Sequence, residues 1–390
     1  MTPPPIQHFR VTLYGTQGSG SIFPSRAERL AYQRRADHDL LALVFQDIAS
    51  HADRAGRLSC TVEDLLGGPI DHPTLTAYAS RFAPPEPRVY GGWTTCVLVE
   101  TGDGYDIVLD CGSGFRNCAR DLQAKWGARP ERHLYLFGSH SHLDHTEGFD
   151  QAAVCFDPRN HLHIYGNRQF LRALDFNLGI FSHEVAREVQ GVQTPIFFGV
   201  MPAHFEAYEI GSAEPDDRPP LHSVLHDPAE PIRLGATTIT PFAVHHPAPC
   251  LAYRIENAGR VFVFCTDHEL RHGDSQPDDR RSREAEERLI AHATGADLLY
   301  RDGQYLRAEY DGMMGIGGSG PVPRVGWGHS CIEDVIDMAN ACRIRLTLIG
   351  HHDPNRDWSE RNWLDESMAR RGSQTAHAIE FARAETVYDL

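Results

Sequence analysis

Short apolar runs separated by turn residues recur along this chain. Runs rich in β-branched and aromatic residues, bounded by Gly, Asp, Asn or Pro, predict strands at His8–Tyr14, Thr94–Glu100, Asp106–Asp110, His133–Phe137 and Leu162–Tyr165. The same pattern predicts strands at Thr238–Val244, Leu251–Ile255, Arg260–Cys265, Leu298–Arg301 and Arg345–Ile349. Apolar positions at helical spacing predict helices at Ala27–Ala52, Asn117–Lys125, Arg168–Leu178, Arg281–Ala293 and Cys331–Ala341. Strands interleaved with helices in this way imply sheets covered by helices, a layered α/β domain. The chain shows no internal repeat and no coiled-coil pattern.

Three stretches break the rhythm. Arg26–Pro87 separates the first two strands and carries its own helical pattern, so it is expected to be a helical insertion within a single domain spanning residues 1–390. Its apolar residues Leu30, Leu40, Leu41, Leu43, Val44 and Phe45 must bury a face, either on its own domain, over a site, or against another subunit. Glu206–Pro231, rich in Pro, Asp and His, reads as a loop. Asp311–Arg324 (DGMMGIGGSGPVPR) is Gly-rich and reads as a mobile surface insertion or a lid.

Composition narrows the class. With 390 residues, 41% apolar and 23% charged, the chain can bury a substantial core. The opening MTPPPIQHFRVTLYG lacks a basic and an apolar signal region, and no run approaches about 18 apolar residues, so neither secretion nor membrane spanning is expected. The nine cysteines (Cys60, Cys96, Cys111, Cys118, Cys155, Cys250, Cys265, Cys331, Cys342) are dispersed, with no C-x-x-C pair. Such a set implies free thiols in a reducing compartment, hence a cytoplasmic protein. A net charge of −16, with no Lys/Arg-rich arm, argues against a long nucleic acid as partner. Even Arg280-Arg281-Ser282-Arg283 is answered at once by Glu284, Glu286 and Glu287. The balance favours a small anionic substrate held by metal ions.

Ligand-type chemistry begins at His140-Ser141-His142-Leu143-Asp144-His145, on the turn that leaves the Leu134–Phe137 run. Imidazoles at alternate positions of an extended turn point the same way, and the following Asp and His reach a neighbouring point. This segment can therefore offer two nitrogens to one metal and an oxygen plus a nitrogen to a second. Two complete sites need more donors. Candidates close three later apolar strands: His246 in FAVHHPAPC, Asp267 in FVFCTDHE and His351 in LTLIGHHDP. In each adjacent pair (His245/His246, Asp267/His268, His351/His352), one member is free to support or to face solvent.

This order, H-x-H-x-D-H followed by His246, Asp267 and His351, resembles the metallo-β-lactamase superfamily. Within it, the chain is similar to the branch of the tRNA 3′-processing endonuclease and the cyclic phosphodiesterases, including that of phosphonate breakdown. The similarity runs through LYGTQGSG, YGGWTTCVLVE, IVLDCGSGFR, CTDHE, DGQYLRAEY, GWGHS and LIGHHDP, over roughly residues 9–23 and 89–355. The resemblance implies a four-layered αββα sandwich with two divalent metal ions. His140, His142 and His246 would hold one ion, Asp144, His145 and His351 the other, and Asp267 would bridge them. Asp110 would orient a ligand histidine. Zinc suits these donors, with manganese or iron as the other options.

The implied reaction is phosphodiester hydrolysis by a metal-bridging hydroxide that Asp144 orients, on a cyclic nucleotide or another small phosphodiester. His329 of GWGHS would contact the phosphate or protonate the leaving group, and Asp302 of DGQY would pair with it. His142 argues against the diiron oxidoreductase relatives, which usually carry a carboxylate there. The alternatives are hydrolysis of a lactone, thioester or β-lactam, or processing of tRNA or another RNA. A homodimer is the default expectation for oligomeric state.

Overall fold

The computed structural model describes residues 9–23, 26–82, 92–184, 196–211, 221–356, 358–372 and 377–390. The strands among them are β1 (Arg10–Gly15), β2 (Cys96–Glu100), β3 (Asp106–Leu109), β4 (Arg132–Phe137), β5 (Asn160–Gly166), β6 (His204–Ile210), β7 (Ser223–His226) and β8 (Ile232–Leu234). They continue with β9 (Thr237–Val244), β10 (Cys250–Asn257), β11 (Arg260–Cys265), β12 (Leu298–Asp302), β13 (Leu346–Gly350), β14 (Ala378–Phe381) and β15 (Thr386–Asp389). The helices are α1 (Arg26–Ser50), α2 (Val62–Leu66), α3 (His72–Ala79), α4 (Phe115–Trp126), α5 (Arg168–Leu178), α6 (Pro277–Ala293), α7 (Arg307–Tyr310), α8 (Ile332–Cys342) and α9 (Trp358–Gly372).

Alternation along the strands builds two sheets, ordered β15-β1-β2-β3-β4-β5-β6-β7 and β14-β13-β12-β11-β10-β9-β8. In β4, Leu134 and Leu136 face the core shared with Phe115 and Leu122 of α4 and Phe170 and Leu174 of α5, while Phe137 faces the other way. There it meets Tyr253, Phe262, Phe264 and Tyr300 of the second sheet. On the far side of that sheet, Leu289 of α6 and Met338 of α8 pack on Val263 and Leu299, and Leu364 of α9 packs with Ile349. The result is the expected helix–sheet–sheet–helix sandwich. Each fully buried Leu or Phe contributes roughly 1.5–3 kcal/mol to it.

The chain divides into two compact units, Met1–Phe23 with Tyr90–Leu390 and Pro24–Val89. The second holds α1 to α3. Leu65, Leu66 and Tyr78 form its small core with Val44, Ile48, Cys60 and Phe82 packed against them, and the Tyr78 hydroxyl donates to Asp47. Of the insertion Arg26–Pro87, residues 83–87 lie outside the described residues, as does His8 of the first predicted strand.

One expectation is corrected. Glu206–Pro231 does not read as a loop throughout: most of β6 and all of β7 lie in it, paired in parallel to each other, and β6 pairs with β5. In β6, Phe205 and Ala207 turn to the helix-covered core, whereas Tyr208 and Ile210 turn to the inter-sheet core. The polar residues between them obscured that alternation. The edge strand β7 leaves Val224 and Leu225 exposed. Residues 212–220 of this stretch lie outside the described ones.

Strands β3 to β7 run parallel, as do β11 to β14. The carboxyl ends of parallel strands are where side chains from distant sequence converge on a ligand. Asp110 follows β3, His140–His145 follow β4, Asp267 follows β11, Asp302 closes β12 and His351 follows β13. Among the described residues, no helix is long and apolar enough to cross a membrane.

Candidate metal centre

The loop after β4 is fixed before it offers any donor. Asp110, fully buried and in the left-handed region at φ 58°, accepts from Ser139 N at 2.6 Å, Ser139 Oγ at 2.7 Å and His145 Nδ1 at 2.7 Å. A non-glycine residue held at positive φ stores strain that its surroundings must outweigh. Asn167, which caps α5 by accepting from Phe170 N, also donates to the carbonyls of Ser139 and Pro249 and so ties this loop to the helix. The opening LYGTQGSG closes the other side: Gly18 N donates to His352 O at 2.9 Å and Ser19 N to Asp144 Oδ2 at 2.7 Å. A Cβ on Gly18 would stand 2.4 Å from the His351 ring, so glycine is required there.

On this frame the side chains expected as ligands come together in two groups, and Asp267 and His351 form a third with His329. In the first, the ligand atoms of His140, His142, His246 and Asp267 all lie within 4.8 Å of one another; in the second, those of Asp144, His145 and His351 do. Asp267 stands between them. Its Oδ2 lies 3.4 Å from His140 Nε2 and 3.8 Å from His246 Nε2. Its Oδ1 lies 3.3 Å from His145 Nε2 and 3.1 Å from His351 Nε2. Asp144 Oδ2 is 3.4 Å from His145 Nε2 and 3.2 Å from His351 Nε2. His142, exposed at the mouth, places Nδ1 3.2 Å from His246 Nε2. Donors bound at about 2.0–2.1 Å around a tetrahedral ion stand about 3.3 Å apart, so these spacings fit metal coordination.

The hydrogen bonds select the same atoms. His145 Nδ1 donates to Asp110, His246 Nδ1 to Gly328 O at 3.0 Å and His351 Nδ1 to Gln304 Oε1 at 3.1 Å. Ser139 Oγ gives its proton to Asp110 and therefore accepts from His140 Nδ1. In each ring Nε2 is left to face the cluster as a lone pair. The Nε2 atoms of His140 and His145 are buried and, among the described residues, have no hydrogen-bond partner, which costs free energy unless a cation takes them. The residues thus fit a divalent metal ion.

Without such an ion the charges are displaced. Burial, with the neighbouring imidazoles, holds the His140 pKa well below its usual value. Burial also disfavours protonation of His145, but Asp144, Asp267 and Asp110 outweigh it and raise that pKa. For Asp267, burial works against ionisation, and His351, His145 and His140 overcome it, so its pKa falls well below the carboxylate range.

Removing a group that orients a metal-binding imidazole typically weakens affinity about 10–100-fold. Asp110→Asn is expected to do so here, read by competition with a chromophoric chelator. Unchanged affinity would deny Asp110 that part.

His329 is buried beside the cluster, its ring stacked 4.7 Å from that of His351. Its Nδ1 donates to Asp302 Oδ2 at 3.0 Å and lies 3.9 Å from Asp267 Oδ2. Burial lowers the affinity of this ring for a proton, but Asp302 and then Asp267 raise its pKa to about 9. Asp302 is itself held by Ser330 N at 3.2 Å and Gln304 N at 3.0 Å.

Beneath Asp302 lies a pair that the sequence did not single out. Arg301, fully buried, makes a fork to Glu286 at 2.9 and 2.7 Å, and Glu286 also meets His268 Nε2 at 2.9 Å. Burial disfavours the Glu286 anion, yet Arg301 and His268 hold its pKa at about 2. That is below the unfolded value of about 4.3, so the stability it contributes is full above pH 4–5 and is lost as pH falls toward 2. Arg301→Met strands the Glu286 carboxylate and is expected to destabilise the fold by about 3–5 kcal/mol, with much of that recovered in Arg301→Met/Glu286→Leu. Urea denaturation checks it; a single variant as stable as wild type would contradict it.

The ambiguous pairs resolve by position. His268 accepts from His245 N at 3.1 Å and supports from behind, and His352 bonds Ala382 O at 2.7 Å away from the cluster. Gln304, which fixes His351, was visible only as a letter of DGQY.

Residues 105–352 match the family described as the β-lactamase superfamily domain. No curated protein matches the chain. Among solved structures, Zn(2+)-bound PqqB from Methylobacterium extorquens aligns with a TM-score of 0.52 and 13% identity, covering 98% of this chain and 100% of that one. The short form of human tRNase Z aligns with a TM-score of 0.51 and 14% identity, covering 97% and 98%. At such identity these likenesses speak to the fold.

Proposed function

The chain belongs to the β-lactamase superfamily, and on that premise we propose that it is a dinuclear metal-dependent hydrolase of phosphodiester bonds. The substrate is a small anionic ester, such as a cyclic nucleotide. The observation that carries this reading is the split of Asp267, one oxygen toward His140 and His246 and the other toward His145 and His351. His140, His142 and His246 would hold one ion, Asp144, His145 and His351 the other, and Asp267 would lie against both. Five imidazoles and two carboxylates suit zinc, with manganese or iron as alternatives. When bound, a pair of divalent ions supplies charge neutralisation for the phosphoryl oxygens and lowers the pKa of water to about 7.

This chain's own residues do the rest. Asp144, held by Ser19 N, orients the attacking water. His329, with Nδ1 committed to Asp302, presents Nε2 to the leaving oxygen and gives it a proton. A lactone or β-lactam hydrolase has no need of that imidazole on a buried carboxylate. The nine thiols, unpaired and with eight of them buried, suit a reducing compartment, and we place the enzyme in the cytoplasm.

A hydrolysis panel on metal-loaded protein tests the reading: a chromogenic phosphodiester, cyclic mononucleotides, a precursor tRNA, a lactone and a β-lactam. The phosphodiesters are expected to lead. Cleavage of the lactone or β-lactam alone would overturn the phosphodiester assignment, and cleavage of the tRNA alone would overturn the small substrate.

A further inference from the structure

The inner face of the first sheet changes character along its strands. Toward the carboxyl ends of β4, β5 and β6 it carries the stacked rings of Phe137, Tyr165 and Tyr208, with centroids 4.6 and 4.4 Å apart, against the second sheet. Toward the amino ends the same face carries His133, His161 and His204, which stand opposite one another in register. The next row is Tyr135, His163 and Glu206. Neighbouring strands lie about 4.8 Å apart and alternate residues share a face, so these four imidazoles form one patch. Their centroids stand 5.0 Å apart for His133 and His161, 4.5 Å for His161 and His204, and 5.3 Å for His133 and His163. His133 and His204 are exposed, and His161 and His163 half-buried. The metal centre lies past the opposite ends of these strands, and the mechanism above uses none of the patch.

His163 is the fixed member. Its ring stacks on Tyr135 at 4.7 Å, and its Nδ1 donates to Glu206 Oε2 at 2.9 Å, an oxygen that also accepts from the Tyr208 hydroxyl at 2.9 Å. With Nδ1 so committed, the neutral ring keeps a lone pair on Nε2, and that atom lies 3.0 Å from His133 Nδ1. Donors around a tetrahedral ion stand about 3.3 Å apart, and a ligand histidine usually gives its other N–H to a carboxylate. The two rings meet both conditions.

Without an ion, His133 Nδ1 donates the one proton between the rings. Moving that proton to the other nitrogen of this exposed ring turns the pair into a chelate. Burial holds the pKa of His161 and of His163 below the ordinary imidazole value, so protons compete little with a cation near neutral pH. Sheet pairing alone would be served as well by β-branched or aromatic residues; what the imidazoles add is ligand nitrogen.

We propose that His133 and His163 form an accessory site for a divalent ion of the nickel, copper and zinc group, remote from the metal centre. Glu206 orients His163, and water completes the coordination. Imidazole suits these ions, whereas magnesium and calcium take oxygen donors. An ion held by two protein nitrogens exchanges readily, so it loads after the centre and leaves on desalting. The site stands whichever bond the centre hydrolyses.

Equilibrium dialysis of the zinc-loaded, desalted full chain against rising free zinc tests it, with wild type, His133→Ala, His163→Ala and Glu206→Ala compared near neutral pH. Wild type is expected to take up one zinc per chain more than either histidine variant. Glu206→Ala should bind that ion about 10–100-fold more weakly. Magnesium in place of zinc should give no difference between the proteins. Only the difference between wild type and variant is read, so the number of ions in the centre does not enter. His133 is exposed, and its replacement keeps the test open if His163→Ala fails to fold. Equal uptake by wild type and His133→Ala would overturn the proposal, as would wild-type uptake that stops at the ions surviving desalting.

Discussion

Asp267→Ala is expected to lower phosphodiester hydrolysis on the order of a thousandfold or more and to leave the protein with fewer than two ions per chain. The reason is that this side chain is shared: Oδ2 faces His140 and His246, and Oδ1 faces His145 and His351. Each other donor is assigned to one ion, so its loss leaves the second site nearly whole. A metal clamp is worth several kcal/mol of transition-state stabilisation, and about 1.4 kcal/mol is tenfold in rate. His142→Ala, by contrast, removes a donor from the first group only and should cost at least one ion. Elemental analysis with steady-state rates on both variants checks this. An Asp267→Ala protein holding two ions at wild-type activity would show that nothing is bridged.

His329→Ala is expected to slow esters with poor leaving groups by about 10²–10⁴-fold, the usual worth of general-acid help. A nitrophenolate needs little protonation, so the same variant should slow its ester far less. Metal content should remain near that of wild type, since His329 is assigned no ion. Asp302→Asn should give a weaker version of the pattern, because Asp302 Oδ2 holds His329 Nδ1 at 3.0 Å. Equal slowing of activated and unactivated esters would leave His329 only a role in holding phosphoryl oxygens.

Much of the layered fold could be read from apolar spacing, because strands such as β4 and β11 are short, dense in large apolar residues and sharply bounded. β6 and β7 were not legible: their outward positions carry His, Glu and Ser, and β7 exposes Val224 and Leu225 at an edge. Donors clustered in H-x-H-x-D-H announce themselves; His246, Asp267 and His351 are candidates because each follows an apolar strand, and only the family resemblance chooses between them and their neighbours. Residues that act through a second partner left no such mark. The Arg301–Glu286 fork, the bond from Gly326 N to Glu269 and the bond from His351 to Gln304 join positions 15 to 57 residues apart, and only folding brings them together.

We propose a pair of ions, joined by Asp267, that supports phosphodiester hydrolysis. Its most direct test starts from chelator-stripped protein and adds zinc in steps while a chromogenic phosphodiester is assayed and bound metal is measured. Activity should rise with loading and level off near two equivalents per chain. Full activity in the stripped protein, a plateau at one equivalent, or a fully loaded protein inert toward phosphodiesters would contradict the account.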